Sequence, residues 1–154
     1  MENVTHRRIK KARLFASAAL FTLITGFALS VPSSATGYIG KADLAGNWQM
    51  TVIGQTGCGF GTTLYTFTLN SAGVATNVSG VSHTGCGDSN FSGDSFTVLT
   101  LNANGSGTAN LTCGTGCGWN LNIQVSPDRS TFNLIDVSAA NPGNFIEGVA
   151  VHQD

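Results

Sequence analysis

From residue 46 onward, apolar and polar positions alternate with a period of two. Trp48, Met50 and Val52 are separated by Gln49 and Thr51, and Tyr65, Phe67 and Leu69 by Thr66 and Thr68. Trp119, Leu121, Ile123 and Val125 alternate with Asn120, Asn122 and Gln124. Successive side chains on a strand point to opposite faces, so this spacing predicts half-buried antiparallel strands. Eight are expected, at 46–54, 62–70, 73–79, 93–101, 106–113, 117–125, 131–137 and 144–152. Three connections, "NSAG" (70–73), "NANG" (102–105) and "SPDRS" (126–130), have the chemistry of tight hairpin turns. They alternate with "GQTGCGFGT" (54–62), "SGVSHTGCGDSNFSG" (79–93), "CGTGC" (113–117) and "SAANPGN" (138–144). No helical segment is available to cover a sheet face. Closing the meander into an eight-stranded antiparallel up-and-down barrel removes both sheet edges, and that is the expected all-β fold. A two-sheet β-sandwich is the alternative.

The meander also sorts the connections by end. Each strand reverses direction, so the first, third, fifth and seventh connections emerge together and the tight turns lie opposite. The tetrapeptide Thr-Gly-Cys-Gly occurs at 56–59, 84–87 and 115–118, and Cys58, Cys86, Cys113 and Cys117 all lie in the first, third and fifth connections, hence at one rim. Trp48, near the start of the first strand, is at the tight-turn end, as is Arg129 in the turn at 126–130.

The N-terminus changes the picture of charge and compartment. A basic stretch, "HRRIKKAR", precedes an apolar run from Leu14 to Val31 and then "PSSATG". This order is that of a secretory signal, with cleavage expected after Ala35 and a single mature domain at 36–154. An uncleaved N-terminal membrane anchor is the alternative. Five of the seven basic residues fall in the signal, leaving Lys41 and Arg129 against seven acids, a balance of −5. Without a basic cluster, nucleic acid and anionic membrane are not expected partners. Four cysteines in an exported chain predict two disulfides. Cys113 and Cys117 flank a three-residue loop as opposed hairpin positions, about 4.5–5.5 Å apart at Cα, which suits a disulfide. Cys58 and Cys86 then pair by elimination. A four-cysteine zinc site is the rival, weakened because Cys58 and Cys86 are isolated singles; no metal or cofactor is expected.

The first strand is introduced by "DLAGNWQ" (43–49). Leu44, Gly46 and Trp48 resemble the start of the first strand in lipocalins and in avidin-like proteins, the calycin group of eight-stranded barrels. The resemblance implies a tryptophan inside the closed end under a basic residue, here Trp48 beneath Arg129, as a structural plug and cation–π lid. It also implies a ligand pocket. The chain departs from the lipocalin pattern in lacking a second motif and a C-terminal helix. It has only Trp48 and Trp119 where avidins use several tryptophans on biotin.

Candidate binding residues gather at the cysteine rim. Trp119 opens the sixth strand just after Cys117, with Phe60 and Phe91 in the first and third long connections as companions. A hairpin between the last two strands that pairs Leu134 with Val149 sets Asp136 opposite Glu147, two carboxylates at the same rim. Both faces of that hairpin are apolar, so which is inside stays open. His83 lies three residues before Cys86 and close to Asp88, a metal ligand or general base in one reading and plain surface in the other. No Ser-His-Asp spacing, phosphate loop or metalloprotease motif occurs. The expected function is binding rather than catalysis: a small apolar or amphipathic ligand at the cysteine rim. The alternative is a disulfide-tied domain with a packed core that contacts another extracytoplasmic protein. The oligomeric state is open.

Overall fold

The computed structural model describes residues 37–114, 117–138 and 143–154. The expected signal at 1–35 lies outside them. Eight strands run β1 (Gly46–Thr56), β2 (Gly59–Leu69), β3 (Val74–Thr84), β4 (Gly87–Leu101), β5 (Ser106–Cys113), β6 (Cys117–Val125), β7 (Thr131–Asp136) and β8 (Phe145–Gln153). Each pairs antiparallel with the next, and β8 returns to β1, closing the barrel. The all-β up-and-down barrel is therefore the fold, and the sandwich is set aside.

The period-two pattern becomes the wall. In β1 Trp48, Met50 and Val52 are buried while Gln49, Thr51 and Ile53 are exposed. The tight turns form where Asn, Asp and Gly stand. The Asn70 side chain accepts the backbone N–H groups of Ala72 and Val74 at 2.9 and 3.1 Å, and Asp128 accepts that of Ser130. That end is closed from below by the segment before β1. A short 3₁₀ helix, Lys41–Leu44, crosses it, and Leu44 and Ile39 are buried against the barrel floor. Trp48 is 1 % exposed and donates its Nε1–H to the Leu44 carbonyl at 2.8 Å. Its ring packs on Phe132 at 4.9 Å, Phe132 on Phe96 at 5.7 Å, and Phe96 on Phe67 at 5.3 Å. This aromatic column fills the lower barrel.

Three expectations are corrected. Arg129 does not form the lid on Trp48: its guanidinium approaches Asp43 at 3.6 Å and the Tyr38 carbonyl at 3.5 Å, fastening the 3₁₀ segment to the turn. The edge contact on the Trp48 ring comes instead from His152, at 5.0 Å. The β7–β8 register is one residue away from the expected one, with Phe132 opposite Ala150, Leu134 opposite Gly148 and Ile135 opposite Glu147. A one-residue slip exchanges the two faces of a strand. The observed register sets the large Phe132 and Leu134 beside the small Ala150 and Gly148, the pairing of sizes that a narrow interior accommodates. Asp136 and Glu147 are consequently not opposed.

The third correction concerns the long connections. Residues 54–62 and 79–93 are not loops; β1–β2 and β3–β4 continue as two-stranded arms to their tips, with Gln55 opposite Phe60 and His83 opposite Asp88. Their sequences lack apolar alternation because much of the β3–β4 arm is exposed. Backbone pairing and cross-strand polar contacts, such as the 2.7 Å bond between the Ser82 and Ser89 hydroxyls, hold it.

Candidate functional site

The first two Thr-Gly-Cys-Gly tetrapeptides are the same structure twice. In each, threonine pairs with the last glycine across a two-residue turn, Thr56 with Gly59 and Thr84 with Gly87. The threonine Oγ1 accepts the cysteine N–H, at 3.2 Å in the first and 3.3 Å in the second. Each cysteine is thus presented at a hairpin tip, and a disulfide joins Cys58 to Cys86, as expected. The two turns nearly touch: a Cβ on Gly85 would lie 2.3 Å from the Cys58 carbonyl oxygen, so only glycine fits. Closing this separation of 28 residues stabilises by roughly 3–4 kcal/mol in the chain-entropy view. The third copy is built differently. Cys113 pairs with Cys117 across the strands, and Cys113 is disulfide-bonded. The Cys117 side chain and residues 115–116 lie outside the described residues.

Beneath these turns the barrel interior opens into a cavity of about 500 Å³. Val52, Ile146, Tyr65, Phe91 and Trp119 supply its apolar surface, and Asp94 is the charged residue of its wall among the described residues. Two local devices build it. Tyr65, Gly80 and Phe91 stand side by side on β2, β3 and β4. With no side chain on Gly80, the Phe91 ring lies across it, since a Cβ there would meet Phe91 Cζ at 2.7 Å, and reaches Tyr65 edge-on at 5.2 Å. The second device is a pair of bulges. Asn77 (φ 61°) adds one residue to β3 and Gly93 (φ 90°) one to β4, between the Thr76–Ser95 and Ser79–Ser92 pairs. Phe91 and Asp94 lie an odd number of positions apart, yet both face inward because the bulge at Gly93 intervenes.

Asp94 is 6 % exposed, the one buried charged residue among those described. Its Oδ1 accepts the Gly114 N–H at 3.1 Å. Burial pushes this carboxyl above its ordinary range, and the Gly114 hydrogen bond pulls the other way. The Tyr65 phenol is pushed up to about 12, by burial first and by the nearby Asp94 charge second. Neither residue was singled out by sequence reasoning. The signal existed, because Asp94 shares the phase of Phe96 and Val98 and is a carboxylate on the buried side of a strand.

Of the expected rim residues, the structure brings Trp119 and Phe91 to the cavity, with Trp119 8 % exposed. Phe60 stands on the opposite face of β2, 59 % exposed and away from the cavity. Asp136 lies outside the cavity wall and accepts the Ser138 N–H at 2.8 Å. Glu147 is exposed between Ile53 and Ile135. His83 hydrogen-bonds Asp88 on the outer side of the β3–β4 arm, with both side chains largely exposed, and Cys86 is committed to its disulfide. No helix among the described residues is long and apolar enough to cross a membrane. Compared with models of known protein families and with curated proteins, the chain matches none; its likeness to the calycin group therefore rests on the closed eight-stranded meander itself.

Proposed function

We propose that this protein is an exported binding module that takes a small amphipathic molecule into the cavity at the cysteine end. The observation that carries the reading is the interior itself. One half of the barrel is filled by the aromatic column, while the other holds about 500 Å³ lined by aromatic rings and the Asp94 carboxylate. Sites for small molecules are apolar concavities of this size with a few placed polar groups. The Cys58–Cys86 disulfide supports an oxidising compartment, and the order of basic, apolar and small residues at the N-terminus supports export. Binding is favoured over catalysis because, among the described residues, the cavity wall presents one carboxylate and no histidine, lysine, arginine or second carboxylate beside it. Native mass spectrometry of the protein purified from its natural source tests the reading. A co-purifying small molecule released on unfolding is the expected result, and a protein that is always empty counts against it. A second reading, contact with another protein, draws on the outer face of β7, β8 and β1, where Ile135, Val149, Val151 and Ile53 are exposed. An empty protein that co-purifies with a partner chain favours it.

A further inference from the structure

The chemistry of the cavity narrows the ligand class. Asp94 has been taken out of water, and among the described residues its carboxylate accepts one hydrogen bond, from the Gly114 N–H. A buried carboxylate is ordinarily matched by a protein cation. None is at hand. Among the described residues the basic side chains are Lys41 and Arg129, both at the closed end, where Lys41 donates to the Leu99 carbonyl at 2.8 Å and Arg129 meets Asp43. His152 packs on Trp48, and His83 faces outward against Asp88. The wall around Asp94 includes Trp119, Phe91 and Tyr65, with hydroxyl and amide groups such as those of Thr63, Ser82 and Asn144. Aromatic faces attract cations through their quadrupoles and repel anions. A carboxylate among three aromatic rings, with no cation beside it among the described residues, is a site that a positive charge completes.

We propose that the ligand is an organic cation: an ammonium group carried on an apolar body, its charge against Asp94 and its body against Trp119, Phe91 and Tyr65. This rests on the cavity being a binding site, and it assigns the ligand class that the cavity selects. An organic anion pays to enter beside Asp94, and a neutral molecule of the same shape leaves the carboxylate without its partner. A bare metal ion finds too few oxygen and nitrogen ligands, since no group of three or more His, Cys, Asp and Glu side chains is gathered among the described residues.

The test uses three probes of one shape: phenylbutylamine, phenylbutanol and phenylbutanoate, titrated calorimetrically into the full protein at neutral pH. The amine is expected to bind roughly tenfold to a hundredfold more tightly than the alcohol, as a desolvated charge-assisted contact requires, and the anion weakest of all. Asp94→Asn keeps an oxygen to accept the Gly114 N–H but removes the charge, and is expected to erase that preference while leaving the alcohol bound. Should this variant fail to fold, Asp94→Ser replaces it, and the wild-type ranking stands by itself. Alcohol or anion binding as tightly as the amine overturns the cation assignment and leaves the cavity as a binding site. An amine preference that survives Asp94→Asn overturns the role of Asp94. Failure of all three probes to bind overturns this inference together with the binding reading on which it rests.

Discussion

The two tryptophans of this barrel occupy opposite ends and show what each end is built to do. Trp48 is sealed in on every side, by Leu44 from below, Phe132 alongside and His152 edge-on, with its only polar atom satisfied by a backbone carbonyl. Trp119 is nearly as buried, yet one side of it faces empty space beside Tyr65, Phe91 and Asp94. The floor has short turns closed by backbone and side-chain hydrogen bonds and a continuous column of packed aromatic rings. The mouth has two hairpin arms tied at their tips by a disulfide, a paired bulge and a carboxylate withdrawn from water. Packing is spent on stability where it is continuous. Where it is interrupted, the rigid arms hold the gap open, and polar groups are kept in states that a solvated surface would not impose.

The comparison is broken most severely by Trp48→Ala. Removing a fully buried indole and its bond to Leu44 is expected to cost about 3–5 kcal/mol, read as a lower midpoint in denaturant with the slope unchanged. A Trp48→Ala protein as stable as the wild type would mean that the floor is not the structural end.

The next effect sharpens the chemical difference between the ends. Tyr65 ionises near 10 when unfolded and at about 12 in the folded barrel. Between these values the unfolded chain has released a proton that the folded one retains. The stability that the buried neutral phenol contributes is therefore complete below pH 10 and is lost as pH rises through 12, about 2–3 kcal/mol in all. Subtracting the stability curve of Tyr65→Phe from that of the wild type isolates this loss, and a flat difference between pH 10 and 12 would show that the phenol is hydrated.

The smallest effect on stability belongs to Trp119→Phe. A ring beside a void is replaced by a smaller ring, so less than about 1.5 kcal/mol should be lost. Binding should suffer more than folding, with affinity for the amine probe falling severalfold as the cation–π contact weakens. If instead Trp119→Phe unfolds the protein and leaves binding intact, the two ends have been assigned the wrong way round.

Much of this fold was legible in the chain because the information needed was local. Alternation around Trp48, Tyr65 and Trp119 places strands, and Asn70, Gly73, Asn102 and Asp128 place the turns that join them. A meander of eight such strands fixes by counting alone which connections share an end, hence the gathering of Cys58, Cys86 and Cys113 far from Trp48, while the pairing of Cys58 with Cys86 followed by elimination once Cys113 and Cys117 were set opposite each other in one hairpin. The β3–β4 arm was hidden because residues 79–93 contain few apolar positions to alternate, and their pairing is held by the backbone. The phase of β7 against β8 was equally beyond reach, since Leu134 and Ile135 are both apolar and the hairpin alone does not choose between them. That choice came from the strands on either side, because β8 must also pair with β1 and present Ala150 and Gly148 inward where Phe132 and Leu134 need room. The site depended on tertiary structure most of all. Periodicity assigns a residue to a face only until a bulge intervenes, and the extra residues at Asn77 and Gly93 turn Asp94 into the same cavity as Phe91. Strand pattern is a property of one segment, whereas register, phase and enclosed space belong to neighbouring strands jointly, and only the closed barrel decides them.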